Sequence, residues 1–463
     1  MYEVKYIILS LTLQKNIYIS VFDIKLIADR KTMRYLPINR ELFIHNRHNF
    51  VKQLKPCSIA IFHSNDVMPT NADGTMAFWQ NSDLFYLSGI DQEESILILF
   101  PDSKDQKLKE ILFVRETNNL ILTWEGYKLT KQQAKEVSGV DAVYWTHEFE
   151  QVLNVLMSEA EHVYLNTNEH LRAVVEVETR DARFVKWCKE RYPLHKYERS
   201  APIMHNLRAI KSEMEIELIK KACQITELGF RRLLSFIKPG VMEYEIEAEI
   251  YHEFIRNRSR GPAYSSIVAS GGNACILHYI DNNQPCEDGD LVLMDFGAEY
   301  ANYAADLTRT VPVNGKFTKR QREVYEAVLR VMKVATRMLV PGNTLNQYHS
   351  FVGTVMENEL IRLGLLDQND VRNQDPEKPL YKKYFMHGTS HFLGLDVHDV
   401  GNKYRPFEEG MVFTCEPGIY IREENIGIRL ENDILITKNG AVDLMKDIPL
   451  EADDIERLMK NKN

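Results

Sequence analysis

Cysteine is sparse and scattered in this sequence. The six residues, Cys57, Cys188, Cys223, Cys275, Cys286 and Cys415, include no CxxC pair, which argues against a zinc–thiolate site and fits a reducing, cytoplasmic setting. Long apolar runs are missing too. None approaches the roughly 18–20 residues of a membrane span, and the amino-terminal patch is broken by Gln14 and Lys15 with no small-residue cleavage site. Excess positive charge is also absent: 57 Lys plus Arg against 66 Asp plus Glu leave a net charge of −9. That balance speaks against nucleic acid or an anionic membrane as the main partner. Neither GxSxG, nor a P-loop, nor GxGxxG occurs, so nothing points to a serine hydrolase or a nucleotide enzyme.

What the chain does have is size and apolar content. Its 463 residues, 44% of them hydrophobic, suffice for two or three domains with cores of their own. Residues 1–32 hold apolar β-like fragments with little period and read as an atypical extension, with Met33 a candidate start. From 33 to 200 short strands alternate with helices: CSIAIFHS (57–64), SILILFPD (95–102) and EILFVRE (110–116) are strand-like, while 152–156 and 171–184 read as helical faces. The segment 68–90, with Asp73, Trp79, Asp83, Phe85 and Tyr86, reads as a loop packing aromatics at a domain or subunit interface. Around 197–210 the chain turns polar and irregular, as a linker would, and a second domain is expected over 201–463.

That second domain opens on a capping box, Ser212-x-x-Glu215. A helix should follow, with Met214, Leu218, Ala222, Ile225 and Leu228 on its apolar face, stopped by Pro239 and Gly240. An internal repeat then appears. IKPGVMEYEI (237–246) has a counterpart in LVPGNTLNQY (339–348), and Gly289-x5-Asp295-x-Gly297 in Gly410-x5-Glu416-x-Gly418. Two halves of helices followed by antiparallel strands imply a pseudo-two-fold domain with its site at the junction.

Each half carries one acidic hairpin. In DLVLMDFGAEYANYAADLTRTVPV (290–313) a turn at 300–301 would set Asp295 directly opposite Asp306. In GIYIREENIGIRLENDILIT (418–437) a turn at 423–424 would set Glu416 opposite Glu431. Were all four to converge, six like-charge pairs at ~5 Å and an effective dielectric of ~20 would cost roughly 20 kcal/mol. Such a cluster must protonate or bind cations, and two divalent ions supply the matching charge. YFMHGTSHFLGLDVHDV (384–400) adds three histidines. Carboxylates with one imidazole suit Mn²⁺, with Co²⁺, Fe²⁺ or Zn²⁺ as alternatives. Two ions sharing an activated water make a metal-assisted hydrolase.

Five motifs in order resemble the aminopeptidase P and prolidase branch of the pita-bread metallopeptidases: GGNACILHY (271–279), GDLVLMDFGAEYANYAADLTRTVPVNGKFT (289–318), MHGTSHFLGLDVHDVG (386–401), GMVFTCEPGIY (410–420) and IGIRLENDI (426–434). QNSDLFYLSGI (80–90) is similar to the aminopeptidase P amino-terminal domain. The resemblance implies an α+β pita-bread catalytic domain of two pseudo-symmetric halves behind a smaller α/β domain. It implies two metal ions, held by Asp295, Asp306, His391, Glu416 and Glu431, with Asp306 and Glu431 bridging. It makes His278 and His398 the pair that holds the scissile carbonyl and tetrahedral intermediate, Glu416 the proton shuttle, His387 a pocket residue near the proline, and Arg429 the partner that orients carboxylates. His349 is expected to face solvent. Asp396 and Asp399 either orient His398 or serve the loop alone, and Cys275 and Cys415 are expected to be packing residues.

The activity so implied is that of an Xaa-Pro aminopeptidase acting on peptides with proline second, in a homodimer or homotetramer. Prolidase is the alternative. Relatives of that type often carry extra sequence between the two glutamate motifs, whereas Glu416 and Glu431 are only 15 residues apart. Methionine aminopeptidase shares the five ligands but normally lacks so long a leading domain. Creatinase keeps the fold without the ligands, as do non-enzymatic binding modules of this shape.

Overall fold

The structure, a computed structural model, describes residues 34–460; the proposed extension and Met33 lie outside the described residues. The first unit is built on a six-stranded sheet in the order β4-β3-β2-β1-β5-β6. Its strands are β1 Ser58–His63, β2 Ile96–Leu99, β3 Glu110–Val114, β4 Ala142–Trp145, β5 His162–Leu165 and β6 Lys196–Arg199. Strand β1 is apolar throughout because both its faces are covered. Ala60 and Phe62 join one core with Phe43 and Phe50 of helix Glu41–Val51, while Ile59 and Ile61 join another with Phe149 and Leu153 of helix Phe149–Met157.

Three expectations for this unit change. The helical face over 171–184 does not form as read. Thr179 accepts a hydrogen bond from the Ala182 amide and starts the helix at Arg180, leaving Leu171, Val174, Val175 and Val177 exposed upstream. The aromatic segment contains a helix, Ser82–Ser88, capped by Asn81 and closed by Gly89 at φ 68°. It does lie at an interface, within the chain, where the Trp79 ring meets the Arg260 guanidinium at 4.9 Å. The expected linker is ordered as β6 and helix Ala201–Ala209. Its polar residues reflect a sheet edge and buried ion pairs, which a hydropathy pattern cannot distinguish from a loop.

In the second unit the expected capping box forms. Ser212 N–H donates to Glu215 Oε2 at 2.8 Å, and helix Glu213–Phe236 follows. Its buried stripe runs through Ile219, Ala222, Ile225, Phe230 and Leu233 and leaves Leu228 exposed. Helix Glu243–Arg256 and the sheet β11-β8-β7 complete one half; helices Lys319–Thr336 and Leu345–Arg362 with the sheet β12-β15-β16 and the pair β13-β14 form the other. These strands are β7 Ile267–Ser270, β8 Leu291–Asp295, β9 Glu299–Tyr300, β10 Tyr303–Ala304, β11 Thr308–Pro312, β12 Val412–Cys415, β13 Gly418–Ile421, β14 Ile426–Arg429, β15 Asn432–Thr437 and β16 Gly440–Asp443. No helix among the described residues is long and apolar enough to cross a membrane.

The first acidic hairpin is shifted from its expected register. Ala301 and Asn302 have φ of 54° and 66°, the two left-handed positions of a tight hairpin turn, and Tyr300 pairs with Tyr303. Asp295 therefore faces Thr308 on β11, and Asp306 sits two residues before that partner rather than directly opposite Asp295. A two-residue shift preserves parity, so both aspartates stay on one face. Gly297 lets the ribbon close here, since a Cβ would fall 1.7 Å from the Ala305 carbonyl oxygen. The second hairpin keeps its expected register, Gly418 against Arg429 and Cys415 against Asn432, with Glu416 and Glu431 between.

Candidate metal centre

Three of the four acidic residues stand at the end of an element, and Asp306 lies between β10 and β11. Asp295 closes β8, Glu416 follows β12, and Glu431 joins β14 to β15. His391 is clamped alongside β12: its carbonyl accepts from the Thr414 amide at 3.0 Å and its amide donates to Thr414 Oγ1 at 3.2 Å. The halves meet through Thr308. Its carbonyl accepts from the Glu431 amide at 3.1 Å, and its hydroxyl donates to Glu431 Oε2 at 2.6 Å.

Ligand atoms of Asp306, His391 and Glu431 all lie within 4.8 Å of one another. His391 Nε2 is 3.4 Å from Asp306 Oδ2 and 3.8 Å from Glu416 Oε1. Its Nδ1 is 2.9 Å from the Phe392 carbonyl, and donation there leaves the Nε2 lone pair facing the acids. Asp295 joins through Tyr264, whose hydroxyl is 2.5 Å from Asp295 Oδ1 and 2.5 Å from Asp306 Oδ1. One hydroxyl hydrogen serves only one of those oxygens, so the other contact requires a protonated carboxyl.

The electrostatics agree with that extra proton. Burial raises Asp295, against the pull of Arg429, whose Nη2 lies 2.5 Å from Asp295 Oδ2. Burial also pushes Glu416 up to about 7, and burial with the neighbouring acids holds Glu431 well above the carboxylate range. For His391 burial acts downward, but Asp306 and Glu416 outweigh it and carry the imidazole up to about 9. The donor set of carboxylates around one inward imidazole fits a divalent cation, which would replace those protons.

The other sequence-predicted residues surround this cluster. Arg429 donates to Tyr420 Oη at 2.9 Å, and that hydroxyl lies 2.8 Å from His387 Nε2. Burial and Arg429 push His387 down to about 3. The neutral ring donates from Nδ1 to the Gly388 carbonyl at 2.7 Å and sits 3.6 Å from Glu416 Oε2. The exposed His398 ring packs edge-on against His391 at 4.5 Å, and burial of its inner side and His391 lower it to about 4. His278, also exposed, follows the turn Gly271–Cys275, close enough for its charge to depress His387.

His349 does not face solvent. Its ring packs 3.2 Å from where a Cβ on Gly388 would be, and burial lowers its basicity. Cys275 and Cys415 are buried with raised thiols, as packing residues should be. Tyr264 was missed because it lies outside every motif. Tyr420 lay within a quoted motif, but strand alternation did not single out its hydroxyl.

Residues 217–438 match the model of metallopeptidase family M24, and residues 43–164 that of the aminopeptidase P amino-terminal domain. A Xaa-Pro aminopeptidase from Haemophilus influenzae is 39% identical over 91% of this chain and 97% of its own length. Among solved structures, a putative aminopeptidase P from Bacillus anthracis superposes with a TM-score of 0.85, 35% identity, and coverage of 92% of this chain and 99% of its own. Zinc-substituted Escherichia coli aminopeptidase P in complex with product gives 0.82, 36%, 92% and 100%. With its acid-and-imidazole centre between two pita-bread halves behind an aminopeptidase P-type amino-terminal domain, the chain belongs to the M24 metallopeptidases, in their aminopeptidase P branch, and uses divalent metal.

Proposed function

We propose that the chain is an Xaa-Pro aminopeptidase, releasing the first residue of peptides whose second residue is proline. The convergence of Asp306, His391 and Glu431 within 4.8 Å carries this reading, and the names of its relatives support it. Two ions, Mn²⁺ by donor chemistry, would be held by Asp295, Asp306, His391, Glu416 and Glu431. Bound there, they supply Lewis acidity toward the scissile carbonyl and water.

The chain's own groups do the rest. Glu416, whose Oε1 lies 3.8 Å from His391 Nε2 at the edge of the cluster, would take up and return the proton. His387, neutral and fixed by Tyr420, offers an uncharged wall for the proline ring. His278 and His398 supply donors to the carbonyl oxygen as charge develops on it. Arg429 holds Asp295 in place. Domains over 33–200 and 201–463, a homodimer or homotetramer, and a cytoplasmic location belong to the same proposal, the last supported by six unpaired thiols.

Metal analysis with a substrate panel tests the reading. The wild type should bind Mn²⁺ and cleave an Arg-Pro-Pro peptide. Asp306→Asn should lose metal and turnover with its circular dichroism unchanged. Turnover of Gly-Pro dipeptide alone would make the chain a prolidase, and an active metal-free Asp306→Asn protein would end the assignment.

A further inference from the structure

The loop that carries His398 is tied down from below by residues that no motif marked. Arg208, on helix Ala201–Ala209, is 4% exposed although it carries a full charge. Its Nη2 reaches Asp396 Oδ2 at 2.6 Å and Asp399 Oδ1 at 2.5 Å, and its Nη1 reaches Asp83 Oδ1 at 2.9 Å. Lys211 holds the other oxygen of Asp399 at 3.1 Å. Ser82 donates to Asp396 Oδ1 at 2.9 Å. Asp396 and Asp399 flank His398 in the chain, whereas Ser82 and Asp83 belong to the amino-terminal unit.

The loop itself is short and closed: the Asp399 amide donates to the Phe392 carbonyl at 2.9 Å. Asp399 is buried beneath it while His398 is exposed on the other side, lining a cavity of about 900 Å3 that lies between the two units. Three carboxylates gather on two cations. Removing Arg208 would leave Asp399, buried beneath the loop, on Lys211 alone in a place where water cannot compensate it. The orientation of His398 is thus over-determined from the side away from the metal cluster.

From this geometry we infer that Arg208 is a positioning residue, which fixes His398 against His391 by clamping the aspartates on either side of it, with Ser82 and Asp83 of the amino-terminal unit as the outer anchor. The inference rests on the proposed role of His398 and assigns the amino-terminal unit a part in the reaction although none of its described residues belongs to the acid-and-imidazole cluster. A misplacement of about 1 Å at a reacting group lowers rate by up to ~100-fold, and loss of an outer partner by ~10–100-fold.

The test is a double-mutant cycle on the metal-loaded full chain. Arg208→Lys should lower kcat roughly 10–100-fold with KM and metal content near wild type. In a His398→Ala background the same change should lower kcat by less than about twofold, because the ring it positions is gone. Asp396→Asn, whose side chain is 43% exposed, loosens the same clamp with little risk to folding and should behave as a milder Arg208→Lys. Equal losses in both backgrounds, or wild-type kcat in both Arg208→Lys and Asp396→Asn, overturn the inference. Should Arg208→Lys fail to fold, the Asp396→Asn arm decides alone. A wild type unable to cleave Xaa-Pro peptides would instead sink the proposed function, a separate outcome.

Discussion

His391 Nε2 faces Asp306 Oδ2 at 3.4 Å across the junction of the two halves, and this contact sets the pH behaviour of the site. The imidazole is carried up to about 9 and Glu416 up to about 7. Both values lie above those of an unfolded chain, about 6.5 and 4.3. Glu416 and His391 thus bind more protons in the metal-free folded protein than in the unfolded one. His387 and His398, held down to about 3 and about 4, bind fewer below about pH 6.5, so the fall in stability with rising pH belongs to the range from about 6.5 to 9. A divalent ion must displace those protons, so its affinity rises over the same range. Chelator-treated protein should melt lower at about pH 8.5 than at about pH 6.5, with the metal-induced rise in Tm largest at the higher pH. Calorimetric titration with Mn²⁺ in buffers of different ionisation enthalpy should show proton release. Binding without proton release would contradict the electrostatic account.

Tyr264 should tune metal affinity without touching substrate. Its hydroxyl contacts Asp295 and Asp306 at 2.5 Å each, and its half-buried phenol is held well above its ordinary value by burial and those acids. Tyr264→Phe keeps the ring and removes the hydroxyl that meets both aspartates. Metal affinity should fall about 10–100-fold, and the metal-free protein should melt lower, because the protonated carboxyl loses the acceptor that the hydroxyl gave it. Competition with a chelating dye measures the first, and thermal unfolding the second. Unchanged affinity would show that the hydroxyl merely fills space.

These two residues illustrate how far the sequence was legible. The acids and His391 stood in motifs whose alternation and spacing announce a face, and parity protects a face against an error of two in register. The turn itself was misplaced because Ala301 takes the left-handed conformation beside Asn302, and alanine carries no local signal for it. Tyr264 reaches the aspartates across a sheet, and Arg208 reaches Asp399 over 191 positions of chain. Contacts of that range leave no periodic trace. The stretch around Arg208 looked like a linker because buried charge and solvated charge have the same composition. Leu228 failed for the opposite reason: a long amphipathic helix has apolar residues at the margin of its stripe, and packing decides which are covered.

Glu243 should be the most sensitive acid outside the metal cluster. It is fully buried at the start of helix Glu243–Arg256, and four donors converge on its carboxylate. Oε1 accepts from the Ser270 amide at 2.7 Å and from Asn273 Nδ2 at 3.4 Å; Oε2 accepts from the Tyr279 hydroxyl at 2.8 Å and the Gln284 amide at 2.9 Å. Those donors span the segment that carries His278, so the carboxylate closes that segment much as a bound anion would. Glu243→Ala strands the Ser270 N–H and the Tyr279 phenol away from water, a loss of about 2–6 kcal/mol when each group costs about 1–3. Glu243→Gln keeps one acceptor oxygen but turns an NH2 toward existing donors, and should lose about half as much. Denaturant unfolding of the metal-free proteins measures both. If Glu243→Ala proves as stable as the wild type, the four hydrogen bonds do not hold the segment, and the placement of His278 must come from the neighbouring hairpin instead.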